Sequence, residues 1–156
     1  FTGWVDIDLA ENGRLEAKKA GLLIQNRKIK IDIYYSSLQL RANRTLEIIQ
    51  KVLKDEKDFT RAWQLNERHY GALTGLNKSE MGKMLGENKI LEFRRSWDIK
   101  PDDLSEKSPY HPKNIETYKK LPRKVIPNSE SLKDTYQRVL GFFNKEIKFK
   151  QIKRKK

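Results

Sequence analysis

Apolar residues recur at helical spacing in four parts of the chain. The pattern predicts helices over residues 11–25, 38–54, 79–96 and 129–145, the third of them interrupted near Gly86. In the first helix the apolar stripe consists of Leu15, Ala17, Ala20, Leu23 and Ile24. In the last helix the predicted buried face consists of Leu132, Tyr136, Val139, Leu140 and Phe143, and Ser129 and Ser131 are candidate N-caps.

Strand patterns are scarcer than helix patterns. Residues 29–35 alternate between apolar and polar types and include β-branched residues, which predicts a strand, and residues 61–65 predict a short second one. All five prolines lie within residues 98–128, which predicts a long irregular segment. Alternating helices and strands are typical of an α/β domain, but a parallel sheet needs more strands than these. The sequence therefore predicts an α/β fold from which strands are missing.

Composition and charge narrow the classes of protein. The 156 residues contain no cysteine, which excludes disulfides and thiolate metal sites, and no apolar run is long enough to span a bilayer. The net charge is +13, and from residue 145 onward there are seven basic residues and a single acid. We interpret this basic end as a solvated tail, with an anion-binding arm as the alternative. The chain begins with Phe1 and not with Met, so we expect a preceding segment.

Several short segments resemble, in order and spacing, the cofactor-dependent phosphoglycerate mutases of the histidine phosphatase superfamily. They are Phe1-Thr2-Gly3-Trp4, Tyr35-Ser36-Ser37-Leu38-Gln39-Leu40-Arg41-Ala42, the stretch Leu65-Asn66-Glu67-Arg68-His69-Tyr70-Gly71-Ala72-Leu73-Thr74-Gly75-Leu76-Asn77-Lys78, the pair Arg94-Arg95, and Ser129-Glu130-Ser131-Leu132. The resemblance implies a partial mutase domain over residues 1–147 and a basic tail over 148–156. It also implies a three-layer fold, with a mostly parallel sheet covered by helices on both faces and its central, histidine-bearing strands missing.

The family mechanism implied by the resemblance uses two histidines, one as a phosphoryl-accepting nucleophile in an Arg-His-Gly motif and one in an Ala-His-Gly-Asn motif. Neither motif occurs in these 156 residues, and His69 and His111 are not equivalents of either histidine. Because the covalent step splits one difficult phosphoryl transfer into two easier ones, its loss removes catalysis. We therefore expect this chain by itself to be inactive as a mutase.

The resemblance implies roles for residues that are present. Glu67 matches the family's general acid/base, which exchanges a proton with a substrate hydroxyl. The substrate-binding positions implied by the resemblance are Thr2, Gly3, Arg41, Tyr70, Lys78, Arg94 and Arg95. Converging cations with accessible N–H donors suit a small, multiply anionic molecule. Taken alone, each of the arginines would more often be a solvated surface residue.

The implied activity interconverts 3- and 2-phosphoglycerate in glycolysis, primed by 2,3-bisphosphoglycerate and without a metal ion. The implied partners are the phosphoglycerate substrate and further copies of the chain, although the sequence leaves the oligomeric state open. We expect a cytoplasmic location and no membrane partner. Two alternatives remain: a degenerate remnant without catalytic function, and a basic module that binds polyanions. The second lacks any nucleic-acid-binding motif, so a nucleic-acid partner is not favoured.

Overall fold

The structure, a computed structural model, describes residues 1–149. The chain divides into two compact units, one formed by Asp6–Asn66 and the other by Phe1–Val5 together with the chain from Glu67 onward. The first is called the helix-pair unit below and the second the motif unit. The division into residues 1–147 and 148–156 stays a prediction, because residues 150–156 lie outside the described part of the chain.

Two helices form most of the helix-pair unit. Helix α1 spans Glu11–Asn26 and helix α2 spans Leu40–Leu53, close to the predicted ranges. They approach closely at Gly21, where an added Cβ would lie 2.9 Å from the Cβ of Val52. The predicted stripe on α1 was wrong in part, since Leu15 is 52% exposed and Leu23 is 60% exposed. The packed side of α1 is instead the small-residue side, Ala17 and Gly21, because only small side chains allow this close approach.

The same unit contains a parallel two-stranded sheet. Strand β1 is Tyr34–Ser36 and strand β2 is Phe59–Arg61, with Tyr34 opposite Phe59 in register. Strand β1 is shorter than the predicted strand over residues 29–35, because pairing with β2 begins only at Tyr34. The second predicted strand was wrong in position: Trp63–Leu65 is a 3₁₀ turn, and β2 ends before it.

The motif unit is helical and irregular. Its helices are α3, Lys78–Leu85, α4, Glu87–Arg95, and α5, Leu132–Phe142. The predicted break near Gly86 is confirmed, since Gly86 has a positive φ of 85° between α3 and α4. The proline-rich segment is irregular, as predicted, and forms 3₁₀ turns at Pro112–Asn114, Glu116–Tyr118 and Arg123–Val125.

Helix α5 is shorter than predicted and buries a different face. Ser131 caps its N-terminus, and a π-helical turn, Phe143–Lys148, follows it. Phe142 is buried, whereas Tyr136 is 52% exposed and Phe143 is 41% exposed, so the predicted buried face was wrong. Arg138 lies one turn before Phe142 on the same helix face, and its side chain is only 8% exposed. A charged residue on the inner face is the reason why the apolar pattern indicated the wrong side.

The architecture confirms an α/β fold with helices and a parallel sheet. No helix within residues 1–149 is long and apolar enough to cross a membrane.

Candidate active site

The segment Glu67–Gly71 is held in the motif unit mainly through its backbone. The N–H of His69 donates to Oε2 of Glu130 at 2.8 Å, and the N–H of Glu130 donates back to the carbonyl of His69 at 3.0 Å. The N–H of Gly71 donates to Nδ1 of His69 at 2.9 Å. Glu67 is exposed, whereas Arg68 and His69 are buried. The fold therefore fixes the main chain of this segment, and Glu67 is exposed at its start.

The loop carrying Thr2 and Gly3 lies against this segment. Gly3 adopts a positive φ of 51°, and a Cβ built there would lie 3.4 Å from both the carbonyl oxygen of Arg68 and the amide nitrogen of Tyr70. The N–H of Val5 donates to the carbonyl of Thr2 at 3.0 Å, which closes the loop into a turn. Glycine suits this position because it accepts the left-handed conformation at a close backbone approach.

Arg68 is a functional candidate that the sequence reasoning did not single out. Its Cζ lies 4.8 Å from the ring centre of Tyr70, and its Nη2 donates to the carbonyl of Arg94 at 3.2 Å. Arg68 is 6% exposed, and its Nη1 has no hydrogen-bond partner among residues 1–149. A buried guanidinium with an unused donor is costly unless an acceptor can reach it. From the sequence, only its position between Glu67 and Tyr70, in the stretch Leu65 to Lys78, could have indicated a role for Arg68.

The other cationic residues of this unit that the sequence predicted for the site, Lys78, Arg94 and Arg95, lie on α3 and α4. Lys78 is the first residue of α3, directly after Asn77, whose side chain caps the helix. Arg94 and Arg95 occupy the last turn of α4, where a positive charge is also favoured by the helix dipole. Arg94 joins the site through its carbonyl, which Arg68 binds. The side chains of Lys78 and Arg95 are exposed.

Arg41 belongs to the other unit. It is the second residue of α2 and is half-buried. An open depression of about 450 Å³ in the helix-pair unit is lined by residues that include Lys28, Tyr34 and Asp55, but Arg41 is not among them. Whether Arg41 contributes to substrate binding stays a prediction.

Both histidines are buried within the motif unit. Burial, with smaller electrostatic contributions from His111 and Arg138, lowers the pKa of His69 to about 4, and Asp103 opposes this shift. His111 accepts from the N–H of Lys113 through Nδ1 at 3.2 Å, and its Nε2 lies 3.0 Å from Oδ1 of Asn128. These are the contacts of histidines that hold loops together. Within residues 1–149 no group of three or more His, Asp or Glu side chains is arranged to bind a metal ion.

Within this α/β fold, the exposed Glu67 directly precedes the buried Arg68. The family model of the histidine phosphatase superfamily (branch 1) matches residues 1–111. The chain belongs to this superfamily.

Comparison with curated relatives shows which enzymes of the superfamily the chain is similar to. The chain is 62% identical over 150 residues to the 2,3-bisphosphoglycerate-dependent phosphoglycerate mutase of Pelagibacter ubique, covering 96% of this chain and 63% of that protein. It is 45% identical over 157 residues to the enzyme of the same name from Borreliella burgdorferi, covering 100% of this chain and 63% of that protein. The chain thus spans less than two thirds of the length of these relatives.

Solved structures show the same fold at low sequence identity. One is a putative α-ribazole-5′-P phosphatase from Escherichia coli, with a TM-score of 0.61 and 18% identity over 97% of this chain and 60% of that one. Another is a mycobacterial glucosyl-3-phosphoglycerate phosphatase in complex with inorganic phosphate, with a TM-score of 0.61 and 19% identity over 94% of this chain and 58% of that one.

Proposed function

We propose that this chain carries substrate-binding groups of a 2,3-bisphosphoglycerate-dependent phosphoglycerate mutase, which interconverts 3- and 2-phosphoglycerate in glycolysis. The observation that carries the proposal is the close approach of the Gly3 loop to the backbone of Arg68 and Tyr70, the residues that follow Glu67. The buried guanidinium of Arg68 lies over the ring of Tyr70 in the same segment. The high identity to two enzymes of that name supports the choice of substrate.

Glu67 is the proposed general acid/base. Its residue is exposed, although its main chain is bound to buried groups, and this combination suits a side chain that must reach a ligand in a fixed direction. In the proposed reaction it exchanges a proton with the substrate hydroxyl that accepts or releases the phosphoryl group. Gln at this position would keep the size of the side chain and lose the proton exchange.

The proposed anion-binding groups are Thr2, Gly3, Arg41, Tyr70, Lys78, Arg94 and Arg95. Guanidinium groups donate hydrogen bonds in parallel pairs to phosphate and carboxylate oxygens, and lysine adds a compact positive charge. The net charge of +13 favours the approach of such a ligand over long distances at low ionic strength.

The proposed priming group is 2,3-bisphosphoglycerate, which supplies the phosphoryl group for a histidine. Neither histidine of the 156 residues stands in an Arg-His-Gly or Ala-His-Gly-Asn motif. We therefore propose that this chain alone binds phosphoglycerate without turning it over. A cytoplasmic location and self-association belong to the same proposal.

A titration calorimetry experiment on the 156-residue chain tests the proposed site. We expect 3-phosphoglycerate to bind at least about tenfold more tightly than glycerate, because the phosphate adds charge-assisted hydrogen bonds. We also expect it to bind more tightly than 3-phosphopropionate, which lacks the hydroxyl, and Glu67→Ala should abolish that second preference. Glu56→Ala, an exposed carboxylate of the helix-pair unit, is the matched control and should leave both preferences unchanged.

The outcome that contradicts the proposal is equal affinity for phosphoglycerate and glycerate. The inactivity claim has its own test, a mutase assay of the same chain with 2,3-bisphosphoglycerate present. A rate above the protein-free background that Glu67→Gln removes would overturn it.

A further inference from the structure

Glu130 and Arg138 form a buried ion pair beneath the segment of Glu67. The Nε of Arg138 donates to Oε1 of Glu130 at 2.6 Å, and its Nη2 donates to Oε2 at 2.9 Å. The side chain of Glu130 is 5% exposed and that of Arg138 is 8% exposed. Such a two-point pair fixes both side chains in direction as well as in distance.

The pair also binds the main chain on both sides of Arg68. Nη2 of Arg138 donates to the carbonyl oxygen of Glu67 at 3.1 Å. Oε2 of Glu130 accepts from the N–H of His69 at 2.8 Å, and the N–H of Glu130 donates to the carbonyl of His69 at 3.0 Å. The ion pair thus binds the carbonyl of Glu67 and the N–H of His69, while the backbone N–H of Glu130 binds the carbonyl of His69.

The pair is itself held by neighbouring structure. Ser131, the residue after Glu130, caps α5 in a reciprocal arrangement with Asp134. Ser129, the residue before it, donates through Oγ to the carbonyl of Pro101 at 2.6 Å. Arg138 lies on α5 itself, 5.8 Å from the ring of the fully buried Trp4. Neighbouring structure therefore holds both Glu130 and Arg138 in place.

A buried ion pair is a weak explanation of stability, because apolar residues of similar volume often stabilise a fold as well or better. What apolar residues cannot do is bind a carbonyl and an N–H of the same short segment. We propose that Glu130 and Arg138 are positioning residues that set the direction of the Glu67 side chain toward the hydroxyl of the bound phosphoglycerate. This inference rests on the proposed function of Glu67.

The geometry predicts a specific consequence of loosening the pair. Glu67 is exposed, and its backbone carbonyl is bound by Arg138. When that bond is lost, the segment gains rotational freedom, and the carboxylate spends less time facing the ligand hydroxyl. Contacts to the phosphate come from other groups and should persist.

The test uses the 156-residue chain with Arg138→Lys, which keeps the positive charge and cannot make the paired donation. Arg123→Lys is the matched control, since Arg123 also pairs with a glutamate, Glu106, in the same unit. Two readouts are measured: hydrogen exchange of the His69 amide without ligand, and the ratio of affinities for 3-phosphoglycerate and 3-phosphopropionate.

Arg138→Lys removes the paired donation that holds Glu130, the acceptor of the His69 N–H. Because that acceptor is then held less firmly, we expect exchange of the His69 amide to accelerate at least about tenfold. The affinity ratio should fall to that of Glu67→Ala, while the affinity for 3-phosphopropionate stays within about twofold of wild type. Arg123→Lys should change neither readout. If Arg138→Lys does not fold, Glu130→Gln, which keeps the side-chain shape, is measured in the same way.

The two claims fail in distinguishable ways. If the wild-type chain does not prefer the ligand with the hydroxyl, the proposed function of Glu67 is wrong, and with it the positioning role toward that ligand. If the wild type has that preference but the variants keep both the preference and slow exchange, the positioning role alone is overturned. Equal weakening of both ligands also overturns it, because that result indicates a merely structural pair.

Discussion

The ring of His69 accepts a hydrogen bond from the N–H of Gly71 through Nδ1, at 2.9 Å. This bond assigns the ring proton of the neutral form to Nε2, which has no hydrogen-bond partner among residues 1–149. Protonation of Nδ1 would break the bond to Gly71 and place a charge in a site that is 0% exposed. The fold therefore requires a neutral His69.

We predict that acid destabilises the chain through this residue. Burial lowers the folded-state pKa of His69 from 6.5 to about 4, so between these values the unfolded state binds more protons than the folded state. The contribution of neutral His69 to the free energy of unfolding is therefore fully present above pH 6.5 and is lost as the pH falls through about 4. The total loss is on the order of 3 kcal/mol. Urea unfolding at a series of pH values measures this slope.

His69→Asn isolates the contribution. The Asn side-chain oxygen can accept from the N–H of Gly71 as Nδ1 does, but it does not titrate. We expect the variant to be less stable than wild type at pH 7 and to show a flatter slope between pH 6.5 and 4. A slope identical to that of wild type would assign the acid sensitivity to carboxylates instead.

Gly71 should tolerate no side chain. Its φ is +54°, and a Cβ there would lie 2.1 Å from the carbonyl oxygen of Asp102. The N–H of Ala72 donates to that same carbonyl at 2.8 Å, so the backbone is not free to move away. We predict that Gly71→Ala destabilises the chain by at least about 2 kcal/mol, through left-handed strain and the steric clash. Thermal unfolding followed by circular dichroism provides the measurement.

Gly141→Ala is the matched control. Gly141 lies within α5, and a Cβ there would contact nothing within 4 Å. Because alanine is the better helix former, we expect this variant to be more stable by about 0.5–1 kcal/mol. Equal losses for the two alanine variants would contradict the assigned difference.

Much of the helical structure could be predicted from the sequence, because helices are local. The break at Gly86 and the cap at Ser131 each follow from residues close in the chain. The extent of β1 could not be predicted, since pairing with β2 decides where it begins. The buried face of α5 was mispredicted because the ion pair of Arg138 with Glu130 outweighs the apolar period at Tyr136.

The residues of the candidate site also divide into those that could be predicted from the sequence and those that could not. The motif around Glu67 was recognisable because its residues are consecutive. The contribution of Arg68 was not, since it depends on contacts with Tyr70 and Arg94 that only folding creates.

The cap of α5 should contribute measurably to stability. Ser131 is 2% exposed, and its Oγ accepts from the N–H of Asp134 at 3.1 Å. The carboxylate of Asp134 accepts from the N–H of Ser131 at 2.9 Å, which completes the reciprocal cap. We predict that Ser131→Ala lowers the free energy of unfolding by about 1 kcal/mol, measured by urea titration at pH 7. Ser131→Thr, which retains the hydroxyl acceptor, should recover part of the loss, and a Thr variant as weak as Ala would argue against the cap.

Arg95 provides a charge test of the candidate site. It lies in the last turn of α4 and is exposed, so its removal should not disturb the fold. If it binds an anionic group of phosphoglycerate, Arg95→Ala should weaken binding about tenfold, the effect of one charge-assisted hydrogen bond. Titration calorimetry at low ionic strength measures the affinity.

Lys89 is the control because it lies on the same helix and pairs with Glu92 at 2.6 Å. Lys89→Ala removes the same charge and should change the affinity by less than about twofold. Equal weakening by the two substitutions would mean that the ligand responds to the net charge of the chain and not to a site that contains Arg95.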